Sequence, residues 1–148
     1  MALSSTDLFK AIGAPLKTLY SWGATHPNGS VILRVWVGKE ESCRHEDTGM
    51  FRFRLTCDSK WEQTSFQSKE RHEHIRLIED GALGYLLLHR AVDNSEKCGA
   101  RTIKSVDSDR IWKINSLLPI EDELGKDIWA LADPTPLEIP PNYKIVWE

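Results

Sequence analysis

Strict alternation of apolar and polar residues over Met50-Phe51-Arg52-Phe53-Arg54-Leu55-Thr56-Cys57 predicts a half-buried strand. Phe51, Phe53, Leu55 and Cys57 are expected inward, and Arg52, Arg54 and Thr56 outward. A second strand is predicted over Val31–Val37, which is dense in β-branched residues and bounded by Asn28-Gly29 and Gly38. Its faces carry Val31, Leu33, Val35 and Val37 on one side and Ile32, Arg34 and Trp36 on the other. The segment Thr18–Gly23 is expected to pair with it through the His26-Pro27-Asn28-Gly29 turn. Tyr85–Val92 is apolar on both faces. That suits a central strand, although period alone also allows a buried helix. Shorter strands are predicted at Ala100–Ile103, Arg110–Ile114, Asp127–Ala132 and Tyr143–Trp147.

Helical signals are fewer. Ser5-Thr6-Asp7 ahead of Leu8–Ile12 starts a short cap helix that Gly13 and Pro15 stop. Lys69–Asp80 places Arg71, His74, Ile75 and Ile78 along one face and ends at Gly81. Gly38–Gly49 and Asp58–Gln67 read as polar loops. The expected fold class is α+β: a strongly curved, mainly antiparallel sheet or partly open β-barrel with two or three short helices. One domain is expected, with a cap helix and lead-in over 1–17, a β-rich core over 18–132 and a Pro-rich tail with a terminal strand over 133–148.

Composition bounds this picture without changing it. The 148 residues are 41% hydrophobic and 28% charged, the balance of a globular domain with one core. No apolar run approaches the roughly 20 residues of a membrane span, and the N-terminus lacks the features of a signal peptide. The cysteines Cys43, Cys57 and Cys98 are odd in number and without CxxC spacing. Reduced thiols in a cytoplasm are therefore expected. Charge is uneven: residues 1–114 hold 17 Lys/Arg against 15 Asp/Glu, while 115–148 hold 2 against 7. A mildly basic body carries an acidic end.

Of the six tryptophans, Trp112, Trp129 and Trp147 sit in apolar strand contexts and are expected in the core. Trp22 at a strand end, Trp36 beside Arg34 and Trp61 in a polar loop are expected at a binding surface, where aromatic faces beside cations stack on nucleobases. Arg34, Arg52 and Arg54, with Lys69, Arg71 and Arg76 of the helix, would form a basic patch for a phosphate backbone. The competing account has Trp22, Trp36 and Trp61 cap the open end of the sheet or a smaller second core, and makes the arginines a solvated sheet face.

Metal and catalytic signatures are weak. His72 and His74 are two apart, so on a helix they diverge by roughly 200°. Cys43, His45 and Asp47 lack a second ligand cluster. No GxSxG, P-loop, Rossmann or kinase pattern occurs. No catalytic residue, metal or cofactor is assigned.

The features Ser21-Trp22-Gly23-Ala24, Leu33-Arg34-Val35-Trp36, His74-Ile75 leading to Gly81-Ala82-Leu83-Gly84-Tyr85, and Arg101-x-Ile103 with Ile111-Trp112 resemble the reader domains attached to HNH-type restriction endonucleases. Those are similar to the PUA-like group, which includes EVE and SRA base-binding domains. The resemblance spans about residues 18–132. It implies a curved β-barrel holding a modified base between aromatic side chains, with Ser21, Trp22, Arg34 and Trp36 carried over. An HNH nuclease half is absent from the sequence, which favours a stand-alone reader or a nuclease's partner.

The expected function is therefore a non-enzymatic nucleic-acid-binding domain, with DNA ahead of RNA, that reads a modified or flipped base in a defence or regulatory system. Its site residues would be Ser21, Trp22, Arg34, Trp36, Arg52, Arg54, Trp61 and Arg71. One alternative is a protein-interaction module such as an inhibitor, antitoxin or phage adaptor, with Glu121-Asp122-Glu123 facing a basic partner. The other is a small metal-dependent nuclease. No membrane partner is expected.

Overall fold

The computed structural model describes residues 3–18, 21–37, 42–44, 49–59, 61, 64–91, 103–122 and 125–147, with only the backbone described at 42–44 and 122. The chain is mixed α+β. Among the described residues two helices, α1 (Ser5–Ala11) and α2 (Phe66–Glu79), accompany nine strands: β1 (Gly23–Thr25), β2 (Val31–Trp36), β3 (Ser42–Arg44), β4 (Phe51–Arg54), β5 (Gly84–Ala91), β6 (Ile103–Val106), β7 (Arg110–Asp122), β8 (Gly125–Ala132) and β9 (Leu137–Glu138). The strand order is β1-β2-β5-β7-β8-β4-β3, with β6 on β5 and β9 on β7. Among the described residues the end strands β1 and β3 do not pair with each other, so the sheet stays open.

Pairing is antiparallel except between β2 and β5, which run parallel from Val31↔Gly84 to Trp36↔His89. Paired residues share a face, and that register sorts the sheet into two cores. Val31, Leu33, Val35, Leu86 and Leu88 pack with Phe53, Leu55, Trp112, Ile114 and Ile75 of α2. On the opposite face Ile32, Tyr85 and Leu87 pack with Leu8 and Phe9 of α1 and with Ile12 at its C-cap.

Strand β7 links the two halves of the sheet. It pairs with β5 at Trp112 and Lys113, and with β8 from Ile114 onward, with a register shift between Ile114 and Ser116. One extra residue bends a strand, and here it lets β7 leave one layer and enter the next. Sequence reading ends this strand at Ile114, yet it continues through Pro119. Proline is tolerated because it sits opposite Ile128 of β8, on a stretch with no second described neighbour to need its missing N–H.

Other expectations are corrected in the same way. The lead strand is only Gly23–Thr25, pairing Gly23 with Leu33. The Gly38–Gly49 loop contains β3, because Ser42–Arg44 finds a partner in β4. Helix α2 starts at Phe66, capped by Ser65 Oγ accepting from the Ser68 N–H at 3.1 Å. Tyr143–Trp147 forms no strand; it packs irregularly on the α1 core, with the Trp147 ring 4.9 Å from that of Tyr85. Residues 92–102 lie outside the described residues, so the start of the Ala100–Ile103 strand is not placed.

Cys57 is fully buried and disulfide-bonded, which overturns the expectation of three reduced thiols. Whether two thiols meet depends on the fold bringing their Cα atoms within range, which sequence spacing does not report. The support that reduced thiols lent to a cytoplasmic location goes with it. Neither described helix is long and apolar enough to cross a membrane.

Candidate functional site

Two polar clusters lie on opposite sides of β2. The first begins at Ser5, the first residue of α1, which follows the N-cap Ser4. Ser5 Oγ lies 2.8 Å from His89 Nε2 and 3.0 Å from Arg34 Nε. His89 Nδ1 is 2.9 Å from the Leu87 carbonyl, which can only accept, so Nδ1 carries a proton. Burial outweighs the Leu87 bond and pulls the His89 imidazole down to about 4. At neutral pH Nε2 therefore holds a lone pair and the Ser5 hydroxyl donates to it. A directed chain results, from the Arg34 N–H to Ser5, from Ser5 to His89, and from His89 to the Leu87 carbonyl.

Beside this chain lies a cavity of about 530 Å³, between the start of α1, Arg34 and β6. Its polar lining includes Arg34, Lys104, Ser5, Thr6 and Ser105, and its apolar lining Leu3, Ile103 and Val106. No carboxylate is among these described lining residues. Arg34 is half-buried, its guanidinium 5.9 Å from the Phe9 ring. Burial depresses its pKa against the opposing pull of Glu70, yet a guanidinium stays charged. With Nε held by Ser5, neither Nη of Arg34 has a hydrogen-bond partner among the described residues, and Lys104 has no ion pair among them.

The second cluster sits between α2 and the start of β1. Glu70 is buried and accepts from Ser21 Oγ and the Trp22 N–H, both at 3.3 Å. Arg71 is buried beside it and donates to the carbonyls of Leu55 (3.0 Å), Trp22 (3.1 Å) and Arg34 (2.7 Å). Burial, only partly offset by Glu70, pulls Arg71 down to about 10. The Trp22 ring packs against Trp61 at a centroid distance of 4.6 Å and lies 5.9 Å from the Arg71 guanidinium. Gly23 permits the close approach of both β2 and α2, since a Cβ there would stand 2.7 Å from the Ile32 carbonyl oxygen of β2 and 3.2 Å from His74 Nδ1 of α2. This cluster fastens the helix to the sheet edge.

The expected basic patch does not assemble. Arg71 is committed to backbone carbonyls. Arg54, expected outward, is buried and paired with Asp127 at 2.9 Å, and Thr56, also expected outward, is buried and donates to Asp127 Oδ1 at 3.0 Å. The strand ends at Arg54, short of the expected Cys57, and the chain beyond it covers that face, with the Thr56 carbonyl accepting from Arg54 at 3.2 Å and the Asp58 N–H donating to Asp127 at 3.0 Å. Arg52 is half-buried, 5.4 Å from the Trp129 ring, with Arg54 4.8 Å from the same ring. Arg76 pairs with Glu73 at 2.6 Å, and Lys69 is exposed.

Trp112 and Trp129 are buried as expected. Trp36 is half-exposed, its ring edge-on to His89 at 6.4 Å. Neither Trp22 nor Trp36 is among the described residues that line the Arg34 cavity. His72 pairs with Asp58 at 2.9 Å while His74 turns inward, pulled down to about 4 by burial. His45 and Asp47 and the Cys43 side chain lie outside the described residues, as does Glu123.

Sequence reasoning missed Ser5, His89, Lys104 and Glu70 as members of these clusters. A histidine inside the apolar run Tyr85–Val92 was the available signal, because a buried imidazole needs partners. The comparisons add no further assignment: the chain matches no family model, no curated protein and no solved structure.

Proposed function

We propose that this chain is a non-enzymatic nucleic-acid-binding domain of the PUA-like kind that meets its ligand at the Arg34 cavity. One observation carries the reading. In a chain of net charge −3, this cavity gathers Arg34 and Lys104, several hydroxyls and no carboxylate among the described lining residues. Guanidinium and ammonium groups of this kind meet phosphate oxygens through charge-assisted hydrogen bonds. Trp36 follows Arg34 by two residues on the same face of β2, about 6.5 Å along the strand, so a base joined to a phosphate at Arg34 comes within reach of its ring. The narrower form of the reading, recognition of a modified or flipped base in DNA within a defence or regulatory system, draws support from that adjacency. Trp22 lends it none, because its ring is engaged by Trp61 and Arg71.

Fluorescence anisotropy with plain and modified oligonucleotides, duplex and single-stranded, at low salt tests this. Binding is expected to weaken with salt, and Arg34→Gln should reduce affinity by about tenfold or more while lowering the salt slope by about one. Absence of binding to every oligonucleotide at tens of micromolar would end the reading.

A further inference from the structure

Building on the nucleic-acid reading, we propose that the Arg34 cavity is a pocket for a terminal phosphomonoester, carried by a mononucleotide or by a phosphorylated strand end, and not a track for internal phosphodiesters.

The disposition of cations is the first reason. A protein that follows a nucleic-acid backbone needs a run of positive groups along the strand. Here the described arginines outside the cavity are otherwise engaged. Arg71 is buried on three carbonyls, Arg54 is buried with Asp127, Arg76 pairs with Glu73, and Arg90 and Arg110 both approach Asp107. Arg34 and Lys104 are the two cations among the described lining residues of the cavity, enough for one phosphate group.

Charge and donor geometry point the same way. A phosphomonoester carries close to two negative charges at pH 7, with a second pKa near about 6, whereas a diester carries one. The two cations match the former. Because Arg34 Nε is held by Ser5 at 3.0 Å, the guanidinium offers its two Nη groups end-on, a fork suited to two oxygens of one phosphate. The Ser5 proton is committed to His89 at 2.8 Å, leaving Ser4, Thr6 and Ser105 as hydroxyl donors in the lining. A volume of about 530 Å³ lies in the range of small-ligand pockets, and Leu3, Ile103 and Val106 offer apolar wall to a sugar or base. Ser5 and His89 are positioning residues: they fix the plane of the Arg34 guanidinium.

Calorimetric titration of the whole protein compares nucleoside 5′-monophosphates with the matching nucleosides, and 5′-phosphorylated with 5′-hydroxyl single strands of one sequence. The phosphorylated member of each pair is expected to bind about tenfold tighter or more, and its advantage should shrink as pH falls through about 6; the tighter of the two phosphorylated ligands names the source. Arg34→Gln and Lys104→Gln should each erase most of that advantage. Ser5→Ala should reduce it, and Ser5→Thr, which keeps the hydroxyl, should restore it, with thermal unfolding confirming that each variant is folded. Equal binding of phosphorylated and hydroxyl strands, still dependent on Arg34, would overturn the phosphomonoester pocket and leave the nucleic-acid reading in place. Binding of mononucleotides with no strand bound would overturn the nucleic-acid reading and keep the pocket. Failure of every ligand would remove both.

Discussion

Arg54 and Asp127 meet at 2.9 Å with side chains 4% and 2% exposed, and this ion pair joins β4 to β8 beneath the segment that follows β4. Asp127 also accepts from Thr56 Oγ1 and the Asp58 N–H, each at 3.0 Å. Breaking a buried pair strands the remaining charge, so Asp127→Ala is expected to cost about 3–5 kcal/mol. Denaturant midpoints of the folded protein measure it. A loss below about 1 kcal/mol, the range of exposed pairs, would show that water reaches Arg54.

Arg71 presents the same contrast on the helix. Replacing it with Met removes donors from the carbonyls of Leu55, Trp22 and Arg34 and leaves Glu70 buried without its neighbouring cation. The expected loss is about 3 kcal/mol or more. Arg76→Met, five residues along the same helix but on its exposed side, should stay within about 1 kcal/mol. Similar losses for the two variants would contradict the buried placement of Arg71.

Stability should rise with pH between about 4 and 6.5. Both His74 and His89 are pulled down to about 4 by burial, so over that window the unfolded chain binds protons that the folded chain does not. Excess protons on the unfolded state make the slope of unfolding free energy against pH positive. The contribution is complete above the ordinary histidine value and is lost as pH falls through about 4. For His89, which is 1% exposed, it amounts to about 3 kcal/mol. Urea midpoints from pH 7 to 4 should fall in wild type and fall less steeply in His89→Gln, whereas parallel curves would place the imidazole in contact with solvent.

Trp22 and Trp36 should separate cleanly. Trp22 packs on Trp61 and beside Arg71, and its alanine variant is expected to lose stability with nucleic-acid affinity little changed per folded molecule. Trp36 stands half-exposed near Arg34, and Trp36→Ala is expected to lose affinity by about 1–3 kcal/mol, more than it loses in stability. Affinities and denaturant midpoints of both variants decide it. The reverse ranking would move the stacking surface to the α2 side of the sheet.

Residue type and boundary signals were enough for the inner strands and the short helix: β-branched density between turn residues marked Val31–Val37, an apolar run beside glycines suited a strand at Tyr85–Val92 where period alone also allowed a helix, and start and stop residues marked α1. The face of Arg71, His74 and Ile75 was legible from the helical repeat near 3.6 residues. So was the divergence of His72 from His74, which follows from helix geometry alone. What surrounds a polar side chain is another matter. Arg54 and Arg71 look like solvent-facing cations in sequence, yet a partner 73 residues away in one case and three backbone carbonyls in the other make their burial tolerable. Ser5 and His89 are 84 residues apart, and only the stacking of α1 on β2 and β5 brings them together and turns Arg34 toward a cavity. Local pattern records which face of an element is apolar. The fold alone decides which distant acceptor lies close enough to offset the cost of burying a charge.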